Sequence, residues 1–270
     1  MLGQNDIGRL VQILKRAFLI LMAALTICLC AVASGSAKAD MEIYSAEDFT
    51  AFMERLANEP ATNAQLMNDI DMSGATLPPA ELFNGSLEGN GFVLSNLSIE
   101  AGDAASALFM EIGSNGIVQN LQISGLFSGR RAACLADVNQ GKVVNVANLA
   151  DLYATELAAG IVCENAGIIE ECVNKGSVLA LNGGMAGGVV GVNRGSITAC
   201  TNYREMDGSI GTPVAAKLGG ICVESLKGSV VKDCVNLGRI QSGEQAAGLV
   251  CTSEDAVLSV WKNFGGVYST

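Results

Sequence analysis

Cysteine, asparagine and paired carboxylates are the residues of this chain whose types and spacing could do chemistry, and no histidine accompanies them. Without histidine there is no Ser-His or Cys-His arrangement, and the commonest general base is missing. Nine cysteines occur, none in a Cys-x-x-Cys pair, so a zinc site is not expected. Seven of them (Cys134, Cys163, Cys172, Cys200, Cys222, Cys234 and Cys251) follow residue 39, and an odd number cannot pair completely within one chain. The acidic candidates Glu170-Glu171, Asp207 and Asp233 read as different positions of a repeat, more like solvated turn residues than a carboxylate pair held across a cleft. No glycine-rich phosphate loop of the Gly-x-x-x-x-Gly-Lys type is present. The residues therefore predict no enzyme, no cofactor and no metal.

What positions these side chains is a repeat. Gly160-Ile-Val-Cys163 leads to Cys172-Val-Asn174, Gly188-Val-Val-Gly191 to Cys200-Thr-Asn202, and Gly220-Ile-Cys-Val223 to Cys234-Val-Asn236. In a weaker copy, Gly248-Leu-Val-Cys251 leads to Trp261-Lys-Asn263, with Trp in place of Cys. Degenerate copies end at Asn148 and Asn120. Subtracting successive Asn positions (120, 148, 174, 202, 236, 263) gives 28, 26, 28, 34 and 27, a period that marks a solenoid. The apolar pieces are too short for helices and are punctuated by Gly and Asn. They suit a coil whose strands pair in parallel with those of the turn before, about 4.8 Å away. Such crossovers are right-handed, so the expectation is an all-β, right-handed parallel β-helix. Scarce aromatics and abundant Gly agree with a narrow bore.

The repeat sets two columns of equivalent residues. Asn120, Asn148, Asn174, Asn202, Asn236 and Asn263 form a structural ladder, each amide bonding its equivalents above and below. Cys172, Cys200 and Cys234 form a column of small buried hydrophobes. Their stacked backbones would also lie within the span a disulfide can bridge, so oxidation between rungs stays open. Ile161, Val189, Ile221 and Leu249 are expected to make an inward column.

Residues 1–39 read as a signal peptide. Arg9, Lys15 and Arg16 precede the apolar run from Ala17 to Val32, and Ser36-Ala-Lys-Ala39 supplies small residues for cleavage between Ala39 and Asp40. An uncleaved anchor is the alternative. The mature chain would hold 16 − 4 = 12 basic and 27 − 1 = 26 acidic residues, a formal −14. That surplus argues against nucleic acid and anionic lipid as partners, and no later run reaches membrane-spanning length. Secretion or display on the cell surface is the expectation. Residues 40–75 read as an N-terminal cap: a strand at Met41–Tyr44, then a capping box at Ser45-Ala-Glu-Asp48 opening a short helix. Residues 76–270 carry the repeats. Nothing capping is read after Tyr268, so weak self-association through the C-terminal rung is expected.

Tyr44-Ser-Ala-Glu-Asp-Phe49, Asn68-Asp-Ile-Asp-Met-Ser73, Phe83-Asn-Gly-Ser-Leu-Glu-Gly-Asn-Gly-Phe92 and the core Gly188-Val-Val-Gly191 together resemble the GLUG-repeat family of exported bacterial surface proteins. The resemblance runs from Ile43 to the C-terminus. Cys163, Val223 and Cys251 stand where the core's second Gly would be, which makes this a variant array. The resemblance implies a non-catalytic β-helical module, adhesive or structural, with a surface glycan or another protein as partner. A carbohydrate-binding or polysaccharide-cleaving β-helix protein is the alternative.

Overall fold

A computed structural model describes residues 39–77, 79–208, 215, 217–242, 244–259 and 261–269. The predicted leader, up to Lys38, lies outside the described residues. The described chain is a parallel β-solenoid of about eight turns with one helix, at its N-terminal end.

Helix α1 (Ala46–Leu56) begins as its sequence dictates. The Ser45 side chain accepts from the Asp48 backbone N–H at 3.2 Å, and the Asp48 carboxylate accepts from the Tyr44 N–H at 3.0 Å. The first bond satisfies one donor that a helix start leaves open, and the second ties the residue before the cap to the first turn. Its buried face, Phe49, Phe52, Met53 and Leu56, closes the first rung. Phe52 meets Phe83 edge-on at 6.1 Å, and Phe83 stacks on Phe109 at 4.8 Å. The few large rings of the core thus gather at this end.

Three walls follow. The first stacks Met41–Ile43, Ala64–Leu66, Ser86–Glu88, the start of Ile117–Ala133, the start of Lys142–Asn148, Ile168–Glu170, Ser196–Thr198, Val230–Lys232 and Val257–Ser259, all in parallel. A bend then turns the chain into the second wall. At that bend Asn120, Asn145, Glu171, Ala199 and Asp233 all have φ between +51° and +56°. Asn tolerates this left-handed geometry; Glu and Ala adopt it at some cost, held by the rungs on either side. Glu171 and Asp233 therefore share one repeat position, contrary to the expectation that they differ. The third wall is a six-stranded sheet of Phe109–Ile112, Ala136–Asn139, Val162–Asn165, Val190–Asn193, Cys222–Ser225 and Val250–Ser253.

At the turn into the third wall, the backbone N–H of Leu135, Ile161, Val189 and Ile221 bonds in succession to the carbonyl of Ile161, Val189, Ile221 and Leu249. All five side chains are buried. Glycine is required beside them: a Cβ on Gly219 would stand 1.9 Å from the Cys222 carbonyl oxygen, and on Gly187 1.9 Å from that of Val190. Truncating Ile221 to Ala should cost about 2–5 kcal/mol, the range for large-to-small changes in a packed core. Chemical denaturation checks this, and a loss below about 0.5 kcal/mol, the level of a surface change, would mean that the side chain is not enclosed.

Candidate functional site

The strongest polar organisation lies inside the coil. Asn148 donates its side-chain N–H to the Asn174 Oδ1 at 2.7 Å, Asn174 to Asn202 at 2.8 Å, Asn202 to Asn236 at 2.8 Å and Asn236 to Asn263 at 2.8 Å. The Oδ1 atoms of Asn174 and Asn202 each take a second bond from the backbone two residues on, from the Gly176 N–H and the Arg204 N–H. Buried amides are thereby satisfied without water. Asn120 is not in this ladder. Ile123 occupies the equivalent rung position beneath Asn148, because the Asn120 copy places its Asn three residues early, at the left-handed bend. There Asn120 bonds Glu88 at 3.0 Å and accepts from Asn145 at 2.8 Å.

A second ladder, unread in the sequence, closes the third wall. Asn139 donates to Asn165 at 2.8 Å, Asn165 to Asn193 at 2.9 Å, and Asn193 to the Ser225 hydroxyl at 3.4 Å. Its signal was present as Asn-x-Gly at Asn139, Asn165 and Asn193, the same triplet that follows Asn174 and Asn236. In each, the Asn side chain caps the glycine N–H, as Asn139 does for Gly141 at 3.1 Å.

Cys172, Cys200 and Cys234 stack directly beside the first ladder, above Val146 and Leu121 in the same column. All three are buried thiols. Trp261 takes the next place in the column but is 58% exposed. It lines an apolar cavity of about 310 Å³ with Val231, Leu249, Val250 and Leu258, at the last rung. Trp261 therefore covers the last rung only in part.

Outside the bore, between the second and third walls, Leu157, Cys163 and Val223 form a small second core. Ion pairs cover it. Arg131 Nε meets Asp137 at 2.7 Å and its Nη1 meets Glu164 at 2.7 Å, while Lys217 meets Glu224 at 2.6 Å. Burial disfavours the Arg131 charge, but the hydrogen bond to Glu164 and the neighbouring carboxylates outweigh it and raise the guanidinium's pKa. Burial pushes the Cys163 thiol up, so it stays protonated there. Among the described residues, no group of three or more His, Cys, Asp or Glu is placed to hold a metal ion.

The exterior carries one further column. Leu149, Lys175, Tyr203, Leu237 and Phe264 each follow a residue of the first ladder or its in-register equivalents, and their N–H groups bond successive rungs. Tyr203 is 52% exposed, Leu237 40% and Phe264 69%. The Lys175 ammonium lies 5.8 Å from the Tyr203 ring centre, and the Arg239 guanidinium 5.2 Å from that of the exposed Tyr268. Tyr203 and Phe264 share this column, with Leu237 between them.

No protein-family model matches this chain, and no curated protein matches it in sequence. Among solved structures it is similar to the crystal structure of "a putative immunoglobulin A1 protease" from Bacteroides ovatus, with a TM-score of 0.60 and 15% identity, over 85% of this chain and 83% of that one. At that identity the likeness is one of fold. It corrects the expectation that this chain is no enzyme, because the solved chain sharing its architecture bears a protease's name.

Replacing Asn202 by Leu removes four hydrogen bonds and leaves the buried side chains of Asn174 and Asn236 each short of a partner, each worth about 1–3 kcal/mol. A loss of at least about 3 kcal/mol is expected. Asn115 is exposed and its side chain is outside both ladders, so Asn115→Leu should change stability by less than about 0.5 kcal/mol. Asn182 is a poorer control, since its φ of +55° would strain a leucine. Equal losses at 202 and 115 would refute the ladder's structural role.

Proposed function

We propose that this protein is an exported β-helical module of the bacterial cell surface, adhesive or structural, of the GLUG-repeat kind. The observation that carries the reading is the exposed column of Tyr203, Leu237 and Phe264, with the exposed Trp261 three residues before Phe264 in the sequence. Large apolar groups gathered in water on an otherwise acidic surface mark an interaction site. Exposed aromatic rings suit a surface glycan or the apolar face of another protein. The basic and apolar start of the chain, with small residues before Asp40, supports export. The exposed residues of the last rung, Val257, Leu258 and Val267, support weak self-association there.

A secreted hydrolase or carbohydrate-active β-helix protein is the second reading. Its support is the name of the Bacteroides ovatus protein and the breadth of the structural match. The ion pairs around Arg131 and Glu164 are the densest charged group to test for it.

A glycan array probed with residues 40–270, with and without calcium, tests the proposal, alongside incubation with immunoglobulin A1 and acidic polysaccharides. Binding should fall at least tenfold in Y203A/F264A, since truncating an aromatic anchor at an interface costs about 2 kcal/mol or more. The melting temperature of that variant should be unchanged. Binding that survives the double substitution would remove the column from the site, and cleavage of either substrate would favour the second reading.

A further inference from the structure

Seven of the twelve basic residues after residue 39 form ion pairs with carboxylates among the described residues. On so acidic a chain the five that do not, Lys175, Arg194, Arg204, Lys227 and Lys262, are the informative ones. Three of these five gather at one corner of the coil. Lys175 and Lys262 flank the ladder residues Asn174 and Asn263, and Arg204 follows Tyr203. Residues on either side of an inward Asn point outward, and all three cations are exposed. The residues in register with Arg204 on the rungs before and after are Gly176 and Gly238, neither of which carries a side chain. The nearby carboxylates are engaged elsewhere: Glu205 pairs with Arg239 at 3.2 Å and Asp233 with Lys232 at 3.7 Å. Asp151, in register with Ser177, forms no ion pair with Lys175.

We infer that this corner binds a polysaccharide bearing carboxylate groups, with sugar faces on Tyr203, Leu237 and Phe264 and carboxylates on Arg204, Lys175 and Lys262. The inference rests on the column's being the binding surface, and adds the class of glycan it takes. The column runs over three rungs, about 14 Å at 4.8 Å each. It is open along its length, which suits a chain lying across it; a small ligand is held in a concave pocket that encloses it. Arg204 presents a planar fork that matches a carboxylate, while the lysines act as mobile point charges that accept groups at less regular positions. Hydrogen bonds from such cations to a carboxylate are of the strong, charge-assisted kind. The acidic surplus elsewhere on the chain does not forbid this contact, because charges more than about 8 Å away are largely screened at physiological salt. It does disfavour nucleic acid, whose closely spaced phosphates need a broad basic face.

Titration calorimetry of residues 40–270, which hold the whole solenoid and its cap, tests this in calcium-free buffer with polygalacturonate and its fully methyl-esterified form. The ester keeps the sugars and loses the charge. At low salt polygalacturonate should bind at least about tenfold more tightly than the ester. Raising the salt to about 1 M, where the screening length falls to about 3 Å, should remove that preference. K175Q/R204Q should weaken polygalacturonate binding at least about tenfold. R194Q/K227Q removes the same charge at the turn between the third and first walls, and should leave binding within about twofold. All four residues are exposed, so both variants should melt with the unsubstituted protein. Equal losses in the two variants would overturn the inference, as would equal affinity for the ester or for a single-stranded oligonucleotide, or no binding of polygalacturonate at all. Ester binding that falls in Y203A/F264A and not in K175Q/R204Q would refute the carboxylate requirement and leave the column as the binding surface. Polygalacturonate binding lost in K175Q/R204Q but kept in Y203A/F264A would remove the column, and the inference with it.

Discussion

Every residue in this coil must be compatible with its own counterpart one rung above and one rung below. Parallel strands in register make that demand unavoidable, because equivalent side chains fall about 4.8 Å apart with no freedom to avoid each other. Aliphatic side chains meet it by packing in columns, as Ile161, Val189, Ile221 and Leu249 do. A charge buried in such a column would repel its own copy. Asparagine satisfies the constraint unusually well among polar residues, because one amide carries both a donor and an acceptor. The two ladders, from Asn148 to Asn263 and from Asn139 to Ser225, are where the coil turns. They let buried backbone change direction while its N–H groups stay bonded, and they fix the register of every strand around them.

The same constraint explains where variety is permitted. At the N-terminal end α1 replaces a rung, and the aromatic series Phe52, Phe83 and Phe109 fills the bore, with Phe127 buried further along it. Where carboxylates occur in outward columns they meet bases or neutral residues, as Glu164 meets Arg131 and Glu224 meets Lys217. An excess of acidic residues can then be spread along the solenoid without a buried like-charge contact. At the last rung the demand lapses on one side, and Trp261 and Phe264 stand exposed around an apolar cavity.

The coil was legible in the sequence because its punctuation repeats: Gly before each apolar pair, Cys-x-Asn after it. Even the substitution of Trp261 in the Cys column was readable as a change in the same place. Asn120 misled because its copy has an Asn near the expected distance, yet that Asn stands at the bend, three residues before the ladder position, and leaves Ile123 in the rung. The second ladder was passed over because its last member is Ser225, which breaks the Asn-x-Gly pattern while preserving the hydrogen bond. Function was less legible for a related reason. A column such as Lys175, Tyr203, Leu237 and Phe264 has no common residue type, and it becomes a surface only when the rungs are stacked. The expectation of no enzyme rested on missing residue types, and the protease name attached to the same architecture shows how little such an absence decides.

The central claim is that the two asparagine ladders, buried and mutually bonded, hold the register of the solenoid. Hydrogen–deuterium exchange of side-chain amides, followed by nuclear magnetic resonance, addresses it most directly. The Nδ2 protons of Asn148, Asn165, Asn174, Asn193 and Asn202 should exchange as slowly as the backbone amides of the third wall, far behind those of the exposed Asn115 and Asn182. Exchange of the ladder amides at the rate of Asn115 would contradict the account, whatever the backbone does.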